Sequence, residues 1–186
     1  MTAAVTETFI PGYEATTWNI DPVHSEVGFS VRHMMVSKVR GRFTGFSGQI
    51  VTAEDPAQSS VTAEIDLASI NTGNEQRDAH IKSADFFEVE TYPTMTYKST
   101  GVRVEDGDYI LDGDLTLKGV TKNVPLRLEL NGFGPDPFGG VRAGFTATGE
   151  INRRDFNVNF NAPMANGGAV VADKIALHLE IEAVKA

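Results

Sequence analysis

Apolar and polar residues alternate along much of this chain from Thr16 onward. A period of two is typical of a strand that has one face in a core and the other in water. The apolar positions of six such segments are Val27, Phe29 and Val31; Val61, Ala63, Ile65 and Leu67; Tyr109, Leu111, Leu115 and Leu117; Val124, Leu126, Leu128 and Leu130; Ala143, Phe145, Ala147 and Ile151; and Ile175, Leu177, Leu179 and Ile181. The pattern predicts an all-β fold.

Turn-forming sequences such as EDPAQ, EDGD and GPDPFGG separate these segments. Six or more strands that each have one apolar face must close those faces against one another, either as a barrel or as a sandwich. Glycines such as Gly41, Gly48 and Gly113 fall inside the predicted strands. Interior glycines suit the bends and bulges of a closed, curved sheet, so we favour the barrel.

The segment from Ile70 to Phe87 breaks the alternation. Thr72 or Asn74 can cap the start of a helix, and Glu75 would lie in its first turn. The segment is too polar for a core helix, which predicts a short helix across one end of the barrel. Residues 1–15 are small and polar without a period, so we expect a flexible arm followed by a single domain over residues 16–186.

Composition narrows the classes of function. A chain of 186 residues suits one domain. The net charge of −9 counts against a nucleic-acid partner, and also against docking on an anionic membrane through a polybasic patch. The chain has no cysteine, no secretory signal and no transmembrane stretch of about 18 apolar residues. We therefore expect the protein in the cytoplasm.

The sequence contains none of the common catalytic or metal-binding motifs. There is no HExxH, no GxSxG and no phosphate-binding glycine loop, and the pattern predicts neither a metal nor a cofactor. Of the four histidines, His24 is expected in a turn and His178 on a polar strand face. His33 continues the apolar face of Val31, and two interpretations stay open. It is either a core histidine bonded to the backbone or a polar anchor in a cavity.

Several longer motifs occur together and in a fixed order. They are WNIDPVHSEVGFSV, VRHMMVSKVRGRF, NEQRDAHIKSADFFEVETYP, LDGDLTLKGVTKNVPL, RRDFNV and ADKIALHLEIEAV. With these motifs the chain resembles the YceI-like family of polyisoprenoid-binding proteins from about Trp18 to the C-terminus. The resemblance implies an extended, lipocalin-like antiparallel β-barrel of about eight strands whose apolar pore holds a long isoprenoid or a similar amphiphile. It implies binding, storage or transport with no established catalysis, and many members of the family are periplasmic.

The predicted binding residues combine this resemblance with the alternation. The residues expected to line the pore are Phe29, Val31, His33, Met35, Phe43, Ile65, Phe86, Phe87, Met95, Tyr97, Leu111, Leu115, Leu117, Leu128 and Phe145. The residues expected near a polar head group at the mouth are His33, His80, Lys82 and Ser83. The sequence leaves open whether the chain forms a homodimer.

Three functions are compatible with these observations. The leading hypothesis is a carrier or store for a long isoprenoid lipid, such as a prenyl quinone or a polyprenyl phosphate. The second is an enzyme that acts on a small lipid or quinone in the same barrel, with His33 as the base. The third is a structural module whose lumen is filled by its own side chains.

Overall fold

The computed structural model describes residues 10–162 and 170–186, and strands dominate both ranges. The strands are β1 Thr17–Ile20, β2 Glu26–His33, β3 Ser37–Phe43, β4 Phe46–Val51, β5 Ser60–Asp66, β6 Ile70–Asn71, β7 Thr94–Glu105, β8 Asp108–Leu117, β9 Val120–Asn123, β10 Leu126–Pro135, β11 Val141–Asn152 and β12 Val171–Lys185. A helix, α1, spans Glu75–Lys82, and short 3-10 helices span Pro56–Gln58, Leu67–Ser69 and Arg153–Phe156.

The sheet closes into a barrel of eight antiparallel strands. Its neighbours follow the order β1-β4-β5-β7-β8-β10-β11-β12, and the end of β12 pairs with β1 through Ala183 and Ile20. The beginning of β12 pairs with β2, which extends the wall through β3 and β6. β1 and β2 thus act as one interrupted strand along β12. The predicted antiparallel barrel of about eight strands is confirmed.

The predicted helix lies next to the short strand β6. Asn74 caps α1 by accepting a hydrogen bond from the N–H of Arg77 at 2.9 Å. Thr72, the other candidate cap, is buried and bonds instead to the carboxylate of Asp78. Within the two described ranges, no helix has the length and hydropathy needed to cross a bilayer.

Irregularities in two strands change which residues face inward. The register shifts between Ser99 and Gly101 in β7 and between Leu130 and Gly132 in β10. Because side chains alternate strictly along a strand, one extra residue moves the inward face from odd to even positions or back. Phe133 accordingly faces the core although Leu128 and Leu130 set the opposite parity.

A compact core cluster stabilises the end of the barrel where β12 meets β1. Trp18 is fully buried there together with Ala143 and Ala183. The indole Nε1–H of Trp18 donates to Thr52 Oγ1 at 2.8 Å, which satisfies the polar atom of this buried ring.

A charged cluster ties the interruption between β1 and β2 to the neighbouring strands. Arg142 Nη1 lies 2.9 Å from both Asp21 Oδ2 and Glu182 Oε2, and Arg142 Nε lies 3.1 Å from Asp136 Oδ2. His24 Nδ1 lies 2.7 Å from Asp21 Oδ2. The guanidinium supplies the positive charge that these carboxylates need, so we interpret the cluster as structural.

This cluster predicts an acid-sensitive part of the stability. Hydrogen bonds from His24 and Arg142 hold the pKa of Asp21 well below its usual range. Backbone N–H groups of Gly140 and Phe138 lower the pKa of Asp136. A carboxyl whose pKa is depressed by folding stabilises the protein above its unfolded pKa of about 3.9, and that stabilisation is lost as the pH falls. The temperature of half-unfolding should therefore decrease when the pH is lowered below about 5.

The substitution Arg142→Gln should lower the unfolding midpoint at neutral pH and make its decrease in acid shallower, as calorimetry between neutral and acidic pH can measure. The matched control is Arg127→Gln, because the Arg127–Asp108 pair is exposed and such pairs contribute little. An acid dependence in Arg142→Gln that equals the wild-type dependence would show that the cluster is not the source.

Candidate functional site

A continuous cavity of about 700 Å³ occupies the inside of the barrel. Its wall includes Val171 at the beginning of β12 and Ile181 near its end. A register shift between Val171 and Ile175 makes four residues of β12 span only two of β2, so this segment covers the length of about eight regular strand residues, or roughly 26 Å. With the usual tilt of barrel strands, this corresponds to about 20 Å along the axis. The cavity therefore runs through most of the length of the barrel.

The wall is built mainly from the apolar side chains that alternate along the strands. Every residue expected to line the pore except Met35 contributes to it, namely Phe29, Val31, His33, Phe43, Ile65, Phe86, Phe87, Met95, Tyr97, Leu111, Leu115, Leu117, Leu128 and Phe145. Their contact with a ligand stays a prediction. The third hypothesis, a lumen filled by its own side chains, is wrong because the lumen is open.

Three of the residues predicted for the site lie outside this wall. Met35 belongs to the turn between β2 and β3 and is 60% exposed. Lys82 ends α1, and Ser83 caps its C-terminus with a hydroxyl that donates to the carbonyl of His80. Of the three head-group candidates on this segment, His80 lines the cavity, whereas Lys82 and Ser83 do not.

Glycines let two aromatic rings lie flat against the wall. A Cβ at Gly113 would stand 2.3 Å from the ring of Tyr97, and one at Gly41 would stand 2.4 Å from the ring of Phe29. The Tyr97 hydroxyl donates to the carbonyl of Val124 at 2.9 Å. Burial raises the pKa of Tyr97, so the hydroxyl stays protonated and acts as a fixed donor.

An aromatic cluster borders the cavity at the end where α1 lies. The rings of Phe86, His80 and Phe160 meet edge to face, with centroids 5.0 to 5.3 Å apart. Phe87 packs against Phe43 instead, at 6.2 Å. Adjacent phenylalanines thus serve two purposes here: one completes the cluster at the mouth and the other joins the core.

Arg153 closes the wall beside this cluster, and its role was not predicted from the sequence. Arg153 is only 3% exposed, and its guanidinium donates to the carbonyls of Val158, Phe160, Val171 and Ala172. Burial lowers the pKa of Arg153, and the nearby carboxylate of Asp173 partly offsets this decrease. One side chain thus bonds to four backbone carbonyls, and the carbonyl of Val171 accepts a further hydrogen bond from the side chain of Asn161.

The opposite end of the cavity is bordered by Tyr13 and Phe133, whose rings meet edge to face at 5.5 Å. The hydroxyl of Tyr13 donates to the carbonyl of Ala53. Tyr13 belongs to the stretch of residues 1–15 for which the sequence predicts a flexible arm. Residues 1–9 lie outside the described part of the chain, whereas Tyr13 lies against the barrel.

The polar groups of the wall differ in whether the protein already satisfies them. Thr72, Tyr97 and Arg153 have hydrogen-bond partners within the protein. His33 and Gln76 also line the cavity at the α1 end, and their side chains have no hydrogen-bond partner among residues 10–162 and 170–186. A polar ligand group entering at this end therefore meets free donors and acceptors at these two residues.

Comparison with known proteins agrees with this architecture. A family model described as "YceI-like domain" matches residues 18–183. The UPF0312 protein plu2095 of Photorhabdus laumondii is 44% identical over 135 residues, which cover 72% of this chain and 70% of that protein. Protein YceI of Escherichia coli is 43% identical over 136 residues, which cover 73% and 71%.

Solved structures show the same fold. BcnA of Burkholderia cenocepacia superposes with a TM-score of 0.75 at 24% identity, covering 88% of this chain and 98% of that one. The Campylobacter jejuni YceI protein gives 0.70 at 32% identity, covering 89% and 96%. A polyisoprenoid binding domain from Saccharophagus degradans, implicated in plant cell wall breakdown, gives 0.67 at 19% identity, covering 91% and 98%. The eight-stranded barrel, its open apolar lumen and the match over residues 18–183 together show that this chain belongs to the YceI-like family.

Proposed function

We propose that this protein binds a long-chain isoprenoid lipid, with the tail in the lumen and the polar head at the α1 end, and that it carries or stores this lipid. The observation that supports the proposal most strongly is the continuous apolar cavity of about 700 Å³. Ligand pockets in proteins usually enclose about 300–1,000 Å³. The polyisoprenoid binding domain of Saccharophagus degradans has the same fold, and its ligand class supports the choice of an isoprenoid.

The volume of the cavity limits the length of the tail. An apolar cavity of about 150 Å³ holds one benzene molecule, or roughly 25 Å³ for each carbon. At this density, 700 Å³ accommodates roughly 28 carbons, which corresponds to five or six isoprene units. A longer tail must either widen the barrel or leave part of its length outside.

Apolar burial alone is sufficient for tight binding. Each buried methylene contributes about 0.8 kcal/mol, so about 28 carbons give a gross term near 22 kcal/mol. This term exceeds the practical ceiling of roughly 18–21 kcal/mol for noncovalent affinity before the ordering of the tail is subtracted. The head group therefore determines which lipid is selected rather than whether a lipid binds.

His33 is suited to hold the head group. A neutral imidazole can donate from one nitrogen and accept at the other, so His33 can pair with a hydroxyl, a carbonyl or a phosphate oxygen. A catalytic histidine needs an orienting acid or an adjacent nucleophile. Two other groups of the wall, Tyr97 and Arg153, have shifted pKa values, but both bond to backbone carbonyls. The geometry thus favours binding over the enzymatic alternative.

A series of polyprenols that lengthen by one isoprene unit should show an affinity that rises up to about 25–30 carbons and then levels off or falls. The rise comes from added apolar burial, and the limit comes from the length of the cavity. Competition against a fluorescent isoprenoid measures the series directly. An affinity that is independent of tail length would contradict a tail held in the lumen.

The substitution Phe29→Asp should abolish lipid uptake, because it places an unpaired carboxylate in the apolar wall. Its matched control is Ser30→Asp, which adds the same charge to the next residue of β2 without facing the cavity. Uptake is measured by binding of the same fluorescent isoprenoid, with circular dichroism as the test of folding. A folded Phe29→Asp protein with normal uptake would remove this part of the wall from the site.

The substitution His33→Ala should weaken binding of a lipid with a polar head by about 1–3 kcal/mol, which is roughly 5- to 150-fold. The bound lipid should remain chemically intact with both proteins. His178→Ala is the control, since His178 is exposed on the outside of β12. If wild-type protein modified the lipid and His33→Ala did not, mass spectrometry would identify an enzyme rather than a carrier.

A further inference from the structure

The turn between β2 and β3 has an unusual residue choice. Met34 and Met35 are its two central residues, with φ of 50° and 61°, and the N–H of Val36 donates to the carbonyl of His33 at 3.2 Å. Two consecutive positive φ values are typical of a type I′ turn, for which Asn-Gly is the favoured pair. Bulky side chains are unfavourable in this conformation.

The side chains of this turn are also unusually exposed. Met34, Met35 and Val36 are 40%, 60% and 80% exposed, and together they form an apolar tip at the end of a hairpin. Neither the turn conformation nor burial in the barrel accounts for three consecutive large apolar residues at this place. Such a group marks an interaction surface.

Basic residues flank the apolar tip. Arg32 pairs with Lys38 across the hairpin, and Arg40 follows two residues further along the same outer face. All three are exposed, and none lies within 4.0 Å of a carboxylate in the described ranges. The net charge of −9 gave no indication of this basic patch, because a total charge does not report where the cations lie.

The hairpin lies at one end of the cavity. His33, the last residue of β2, contributes to the cavity wall, so the apolar tip starts where the wall ends. A surface that binds here also meets the opening through which a lipid tail would pass.

We propose that the β2–β3 hairpin docks on a bilayer that contains anionic phospholipids. Met34, Met35 and Val36 insert among the lipids, while Arg32, Lys38 and Arg40 face the phosphate head groups. The apolar side chains at the centre match the acyl-chain region of the bilayer, and the cations around them match its anionic head groups. Docking in this orientation brings the α1 end of the lumen to the membrane, and the delivery of a lipid in this way rests on the proposed function.

Flotation of the full chain with vesicles tests the docking. We expect the protein to float with vesicles of equal parts phosphatidylglycerol and phosphatidylcholine, to bind weakly to phosphatidylcholine alone, and to dissociate as salt is added. The double substitution M34N/M35G installs the favoured turn pair, so the hairpin should remain folded while binding falls roughly tenfold or more. The triple substitution R32Q/K38Q/R40Q should weaken binding by about 100-fold, since each cation near the surface contributes roughly a factor of five.

The control is F138S. Phe138 is 87% exposed in the hairpin between β10 and β11 at the opposite end of the barrel, so F138S should float like the wild type. Wild-type protein that floats with neither vesicle, or M34N/M35G that floats unchanged, would overturn the proposal and favour a protein partner for the hairpin.

Vesicle binding and lipid content are measured separately. A protein that floats but contains and takes up no lipid upholds the docking and contradicts the proposed function. A protein that contains lipid but does not float upholds the proposed function and contradicts the docking.

Discussion

The structure depends on the pairing of β12 with β1, which closes the sheet. An open sheet with one apolar face would leave that face in water, whereas closure turns it inward and removes the unpaired edges. An eight-stranded barrel is just wide enough either to be filled or to hold a small ligand. Glycines such as Gly41 and Gly113 let large rings lie flat against the wall, so the lumen stays open although it is lined by aromatic residues.

Alternation predicted most of the wall, and its failures have specific physical causes. Leu115 and Leu128 could be assigned to the lumen because β8 and the first half of β10 are regular. Phe133 could not, because a register shift after Leu130 reverses the inward parity. Arg153 could not be assigned either. Its charged side chain is buried because it bonds to backbone carbonyls, and no sequence pattern marks which carbonyls will surround it.

The two ends of the lumen have different chemistry. The end near β1 is bordered by Tyr13 and Phe133 and is held together by Trp18 and the cluster around Arg142. The α1 end offers the side chains of His33 and Gln76, which have no hydrogen-bond partner in the described part of the chain, together with the basic hairpin. Since composition reports only totals, the sequence indicated an acidic protein without a membrane-facing surface. The difference between the two ends becomes visible only in the folded structure, where strand pairing brings these residues together.

If the open lumen holds an isoprenoid lipid, the lipid should remain bound during native purification. Mass spectrometry of an organic extract of the natively purified protein is the direct test. We expect a stoichiometric amphiphile with an unmodified isoprenoid tail of about five or six units, absent from a matched extract of folded Phe29→Asp protein. An extract without any lipid from protein that also binds no added polyprenol would contradict this expectation.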